Sequence, residues 1–147
     1  MRIPRACLVA LAIGAAAGCG PDAADPEATL RSWLTEAEAY AEAGDAQALA
    51  GLISPDYSDM AGRDRRQASV MLKGLLLRYP RLELVVTERD LELFSPVLAR
   101  ARLQVIAAGA GAGRLSADGF TLELSLRDDG DGWRVTGADW DGAPPGI

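Results

Sequence analysis

Apolar side chains recur with a period near 3.6 over the first half of the folded sequence, and the period drops to two from Leu82 onward. Leu30, Trp33, Leu34, Ala37 and Tyr40 fall at i, i+3, i+4, i+7 and i+10, one stripe of an amphipathic helix. Glu27, Glu36, Glu38 and Glu42 occupy its other faces. Gly44 closes this helix and Asp45 is placed to cap the next. The second helix is brief: Leu49, Leu52 and Ile53 bury, and Ser54-Pro55 ends it. Asp56 to Asp64 is an irregular segment of acids and bases. A third helix puts Ala68, Met71, Leu72, Leu75 and Tyr79 on one side and stops at Pro80.

The alternating half predicts antiparallel strands. Leu82, Leu84 and Val86 share one parity, while Leu91 and Leu93 take the other, so a bulge or bend is expected near Glu88–Asp90. Ser95-Pro96 turns the chain. Ala99, Ala101, Leu103, Val105 and Ala107 then face one way, with Arg100, Arg102 and Gln104 the other. Gly109 to Gly113 is expected as a loop. Phe120, Leu122, Leu124 and Leu126 alternate with Thr121, Glu123, Ser125 and Arg127. The Asp128–Gly132 run makes a hairpin, and Trp133, Val135 and Trp140 return from it. Helices first and strands afterwards predict an α+β domain, with three N-terminal helices packed on a mainly antiparallel sheet.

Residues 1–18 have a different character. Arg2 and Arg5 precede an apolar stretch from Ala6 to Ala17, the order of an export signal. The stretch is shorter than the roughly 20 apolar residues that span a bilayer. Ala16-Ala17-Gly18-Cys19 resembles the lipobox of bacterial lipoproteins. That resemblance implies cleavage before Cys19, fatty acylation (palmitate among the chains) of Cys19, and attachment to the cell envelope. Gly20 after the cysteine, where aspartate is linked to inner-membrane retention, favours the periplasmic face of an outer membrane. The expected organisation is a signal peptide (1–18), a lipidated cysteine and tether (19–26), one domain (27–141) and a flexible tail (142–147).

Processing changes the charge. The 147 residues, less those 18, leave 129, enough for one core; loss of Arg2 and Arg5 takes 15 basic residues to 13 against 21 acidic ones, a net charge of −8. Such a surface argues against nucleic acid, which needs a basic stripe, and against anionic lipid contacts by the folded body. Cys7 would leave with the signal and Cys19 would carry lipid, so no disulfide is expected. Histidine is absent, which removes the commonest general base and metal ligand. No cofactor or metal is implied.

Ala43-Gly44-Asp45, then Ala48 to Tyr57, Gly62-Arg63-Asp64 and the Gly132–Val135 strand together resemble the nuclear transport factor two-like superfamily, over about residues 27–141. The resemblance implies a sheet curved around the helices as a cone, with a hydrophobic pocket at its open end. Superfamily members include ketosteroid isomerases and polyketide cyclases, and many dimerise through the sheet. Isomerase members use a carboxylate base, a tyrosine and a neutral carboxylic acid in an apolar site. Aligned from Gly44-Asp45, the base position falls near Ala61 and the tyrosine position near Glu38; a shifted register brings Asp59 and Tyr40 toward those roles.

Asp56, Tyr57, Asp59, Arg63, Asp64 and Arg65 make the densest polar cluster. Read functionally, Tyr57 and Asp59 sit at the mouth of a cone and Arg63 holds an anionic group; the catalytic candidates are then Asp59, Tyr57 and Tyr40. Read structurally, the acids cap the third helix and pair with its arginines. Trp33, Tyr57, Arg63 and Trp140 are the ligand-binding candidates, although aromatics at helical spacing are most often core. Gly109–Gly113 lacks the helix and lysine of a phosphate loop, and Asp128–Asp131 lacks the alternation of a calcium loop. Arg100 and Arg102 are expected to pair with Glu123 across strands.

Three readings remain. The favoured one is a non-enzymatic, lipid-anchored module that binds an envelope partner or a small apolar ligand. The others are a cofactor-free lyase- or isomerase-like enzyme with a pocket carboxylate, and a structural envelope homodimer.

Overall fold

The computed structural model describes residues 24–78, 82–111 and 114–141. The signal segment, Cys19, Tyr79-Pro80 and the tail lie outside the described residues. Three helices, α1 (Pro26–Glu42), α2 (Ala46–Gly51) and α3 (Arg65–Arg78), precede four strands, β1 (Leu82–Ser95), β2 (Leu98–Gly111), β3 (Arg114–Asp128) and β4 (Trp133–Asp141). The strands pair antiparallel in chain order, β1-β2-β3-β4. The result is the α+β architecture that the periodicities predict.

Helix boundaries follow local chemistry. Asp25 accepts from the Glu27 N–H at 3.1 Å and Pro26 takes the first turn, so α1 starts one residue before Glu27. Asp45 caps α2 through the Ala48 N–H at 2.9 Å. At α3 the Gln67 N–H donates to Asp64 at 2.8 Å, while the Asp64 N–H donates to the Gln67 side chain at 3.0 Å. Two orphan donors are thus satisfied by one reciprocal pair. Among the described residues no helix is long and apolar enough to cross a membrane.

Among the described residues three register shifts interrupt the ladders, one of them at the end of β1 between Leu93 and Ser95; the other two change the parity of the inner face. In β1 the register with β2 shifts between Val86 and Glu88, so Thr87 is the extra residue. The expected parity change occurs, one residue ahead of the expected Glu88–Asp90. In β4, Leu126 faces Val135 while Ser125 faces Gly137, which leaves Thr136 unpaired with β3. That shift returns Ala138 and Trp140 to the inner parity. The Gly109–Gly113 expectation is corrected in part: the β2–β3 ladder continues to Gly111↔Arg114. Backbone ladder bonds need no side chain, so glycine weakens a paired strand without ending it.

The core lies between the concave sheet face and the helices. Leu30, Trp33 and Leu34 of α1 pack with Ala99, Ala101, Leu103 and Val105 of β2, and with Leu126, Trp133 and Val135. Full burial of Leu30 and Leu126 contributes about 2 kcal/mol each. The segment between α2 and α3 docks on the free edge of β4: the Ser54 and Ser58 N–H groups donate to Val135 and Thr136 carbonyls, and Val135 donates to Leu52. Gly137 allows this approach, since a Cβ there would lie 3.2 Å from the Ser58 carbonyl oxygen.

On the convex face, Arg102 pairs with Glu123 at 2.7 Å, and Arg100 reaches Glu123 at 3.2 Å and Glu92 at 3.7 Å. The predicted cross-strand pairs are present. Hydrogen bonding to Arg102 holds the Glu123 carboxyl below its ordinary value.

Candidate functional site

The helices do not fill the concavity of the sheet. A cavity of about 280 Å³ remains, bounded by Trp33, Leu34 and Ala37 of α1, Met71, Leu72 and Leu75 of α3, and Leu103, Phe120, Leu122 and Trp140 of the sheet. Its origin is visible in the side chains chosen. Ala37 and Ala41 of α1, Ala68 of α3 and Ala138 of β4 all line it, so the elements around it meet over short side chains. A void walled almost entirely by apolar side chains is available to an apolar guest.

The ionisable groups at its wall are already engaged. Glu38 pairs with Arg89 across the α1–β1 gap. The Tyr57 hydroxyl donates to Asp59 at 3.3 Å. Burial, reinforced by the Asp59 charge and that hydrogen bond, pushes the Tyr57 phenol up to about 12. Trp33, which also lines the cavity, differs: its Nε1–H is enclosed without a hydrogen-bond partner.

Behind Tyr57, Asp59 organises the loop that leads into α3. Its carboxylate accepts from the Ala61 N–H (2.9 Å), the Arg63 N–H (2.9 Å) and Arg63 Nε (2.7 Å), besides the Tyr57 hydroxyl. Gly62, with φ 73°, closes the loop by donating to the Asp59 carbonyl at 2.9 Å. Burial pushes the Asp59 carboxyl up, but the Arg63 hydrogen bonds and charge outweigh it and hold the group below its ordinary value. Arg63 in turn stacks over the Trp140 ring, 4.7 Å from its centroid, and Nη1 donates to Met71 Sδ at 3.3 Å. One arginine therefore ties the loop, α3 and β4 together at the cavity's edge.

The ligand-binding candidates converge: Trp33, Tyr57 and Trp140 line the cavity, with Arg63 braced against Trp140. Of the catalytic candidates, Tyr57 and Asp59 meet, and Tyr40 does not join them. Asp59 is ionised and saturated behind Tyr57, and Tyr40 donates to Glu36 on the exposed side of α1. The hydrogen bond to Glu36 raises the Tyr40 phenol from its ordinary value, a purely local effect. The Arg63 guanidinium is committed to Asp59 and Trp140 and does not wait for an anion. Of the polar cluster, Asp64 caps α3 and Asp56 pairs with Arg127 at 2.7 Å, while Tyr57 and Asp59 are buried, not solvated. Met71, Leu75, Phe120 and Ala138 also line the cavity. Their sequence signal is identical to that of core residues, and only the clustering of alanines opposite them hints at space.

The fold is shared with solved structures of low sequence similarity. One is a candidate dehydratase of the nuclear transport factor two-like family from Streptomyces avermitilis, 13% identical, with TM-score 0.71 over 80% of this chain and 96% of that one. A candidate scytalone dehydratase from Novosphingobium aromaticivorans is 11% identical, with TM-score 0.70 over 80% and 84%. A nuclear transport factor two-like protein with a cystatin-like fold from the same organism is 17% identical, with TM-score 0.61 over 80% and 84%. The chain has the nuclear transport factor two-like cone fold. No family model and no curated protein matches it.

Proposed function

We propose that this chain is a lipid-anchored, periplasm-facing module that holds a small, uncharged apolar ligand in the cone without transforming it. The observation that carries the reading is the pairing of an apolar cavity of about 280 Å³ with ionisable wall groups that are engaged, Glu38 by Arg89 and Tyr57 by Asp59. The volume sits at the lower end of the roughly 300–1,000 Å³ of ligand sites and is roughly twice that of a cavity that binds benzene. The anchoring half of the proposal rests on Arg2, Arg5, the apolar run and Ala16–Cys19.

A lyase or isomerase reading is favoured by the candidate dehydratases among the structural neighbours and by Tyr57–Asp59 at the cavity wall. Proton abstraction, however, needs an acceptor free to reach substrate, with a pKa moved toward neutrality. Asp59 has neither property, so binding without turnover is the better account.

Calorimetric titration of the lipidated chain in nanodiscs, against empty nanodiscs, tests it with small neutral aromatic and aliphatic alcohols. Saturable one-to-one binding that disappears in Ala37→Phe, whose ring occupies the cavity, is expected. Absence of saturable heat across the series refutes ligand binding. Turnover lost on Asp59→Asn would instead establish the enzyme.

A further inference from the structure

Basic side chains divide by location. Arg31, Arg63, Arg89, Arg100, Arg102, Arg127 and Arg134 each pair with a carboxylate, whereas Arg65, Arg66, Lys73 and Arg78, all on α3, form no ion pair among the described residues. Residues 65–78 contain no acid, in a chain with 21. At 100° per residue, Arg66, Val70, Lys73 and Leu77 fall within about 60° of one another, on a single stripe. Val70 is 67% and Leu77 73% exposed, so the stripe alternates cations with bare aliphatic side chains. Beside it, α2 and α3 form a shallow groove that holds Ser69 and Lys73.

We infer that the outer stripe of α3 docks on anionic phospholipid, with Arg66 and Lys73 at the phosphates and Val70 and Leu77 at the acyl boundary. Mixed cations and apolar groups on one helix face are what an interfacial surface requires. An acidic protein is the other occupant, which the experiment below separates, and nucleic acid would meet the acidic remainder of the chain. The expectation that the acidic body avoids anionic lipid holds for its average charge, and α3 is the local exception. The inference rests on the proposed anchor: six residues from Gly20 to Asp25 reach at most about 20 Å, which holds the start of α1, and the domain with it, beside a bilayer.

The lipidated chain is labelled through Gly74→Cys, an exposed position with open space around it. It is placed in neutral phosphatidylcholine vesicles, or in vesicles with added phosphatidylglycerol, with a headgroup spin label as quencher. Quenching confined to the anionic vesicles, weakened by salt and reduced in Arg66→Gln/Lys73→Gln is expected. Each neutralised charge lowers the docked-to-free ratio about fivefold, and the pair about 25-fold. Equal quenching in both vesicles, or no change in the double variant, overturns the inference; so does burial of the label by an acidic soluble protein without any phosphatidylglycerol response. Intact mass of the same sample reports the anchor independently. If Cys19 lacks lipid, the anchor alone fails, and phosphatidylglycerol-dependent co-flotation of that unmodified chain then decides the role of α3.

Discussion

Asp59–Arg63 and Glu123–Arg102 are ion pairs of the same length, 2.7 Å, on opposite sides of the sheet. The Asp59 side chain is 1% exposed and Arg63 28%; Glu123 is 31% exposed and Arg102 57%. Equal distance does not mean equal worth. The convex pair exchanges one hydrated state for another, and such pairs contribute about 0–1 kcal/mol. The concave pair has taken a carboxylate out of water, and that carboxylate also organises three other donors. Its value lies in what would be stranded by its loss. The same comparison separates structure from chemistry: the buried acid that a catalytic reading requires is the one most completely used by the fold.

Arg63→Ala is the largest expected effect. It leaves Asp59 buried without its counter-ion, removes the stack on Trp140, and costs about 3 kcal/mol. A melting temperature lowered by roughly 10 °C, read by circular dichroism on the full chain, checks it. Combining it with Asp59→Ala should cost clearly less than the sum of the single variants, since the double variant strands no charge. An additive cycle would mean that the two residues act independently.

Acid titration sharpens the contrast further. Asp59 has a folded-state pKa below its unfolded one, so the unfolded chain binds the proton first as pH falls. Its stabilisation is complete above the ordinary carboxylate value of about 3.9 and is lost as pH drops through the lower folded value. Asp59→Asn starts less stable at neutral pH and has a flatter loss of stability below about pH 4. If the slope is unchanged, another carboxylate carries the acid sensitivity.

The two sides also differ in how far their residues disclosed them. Alternation placed Arg100, Arg102 and Glu123 on one face of neighbouring strands, and cross-strand pairing then follows from register alone. Inner β2 and β3 were equally legible, and so was the parity change in β1, because one bulge reverses every later side chain. Tyr40 was misplaced for a geometric reason. Ten residues at 100° put it about 80° from Leu30, whereas Ala37 and Ala41 stay within about 20°, and they are the ones that line the cavity. Asp59 was visible as a polar residue in a polar run; its burial depends on a loop closed through Gly62 and docked on β4, which no periodicity records. The cavity was the least legible feature. A core and a pocket use the same side chains, and their difference is only the volume left over.

Arg102→Ala is the smallest expected effect and the one that calibrates the rest. Glu123 keeps Arg100 at 3.2 Å when Arg102 is gone, so its charge is not stranded, and both groups have access to water. Stability should change by less than about 0.5 kcal/mol, and the difference should vanish as salt rises, because exposed pairs are screened over about 10 Å at 0.1 M ionic strength. Chemical denaturation in urea at low and high sodium chloride measures both. A loss above 1 kcal/mol that survives salt would show that the convex face is shielded from solvent. Something must then cover it, and the ion network around Glu123 would be the inside of an interface.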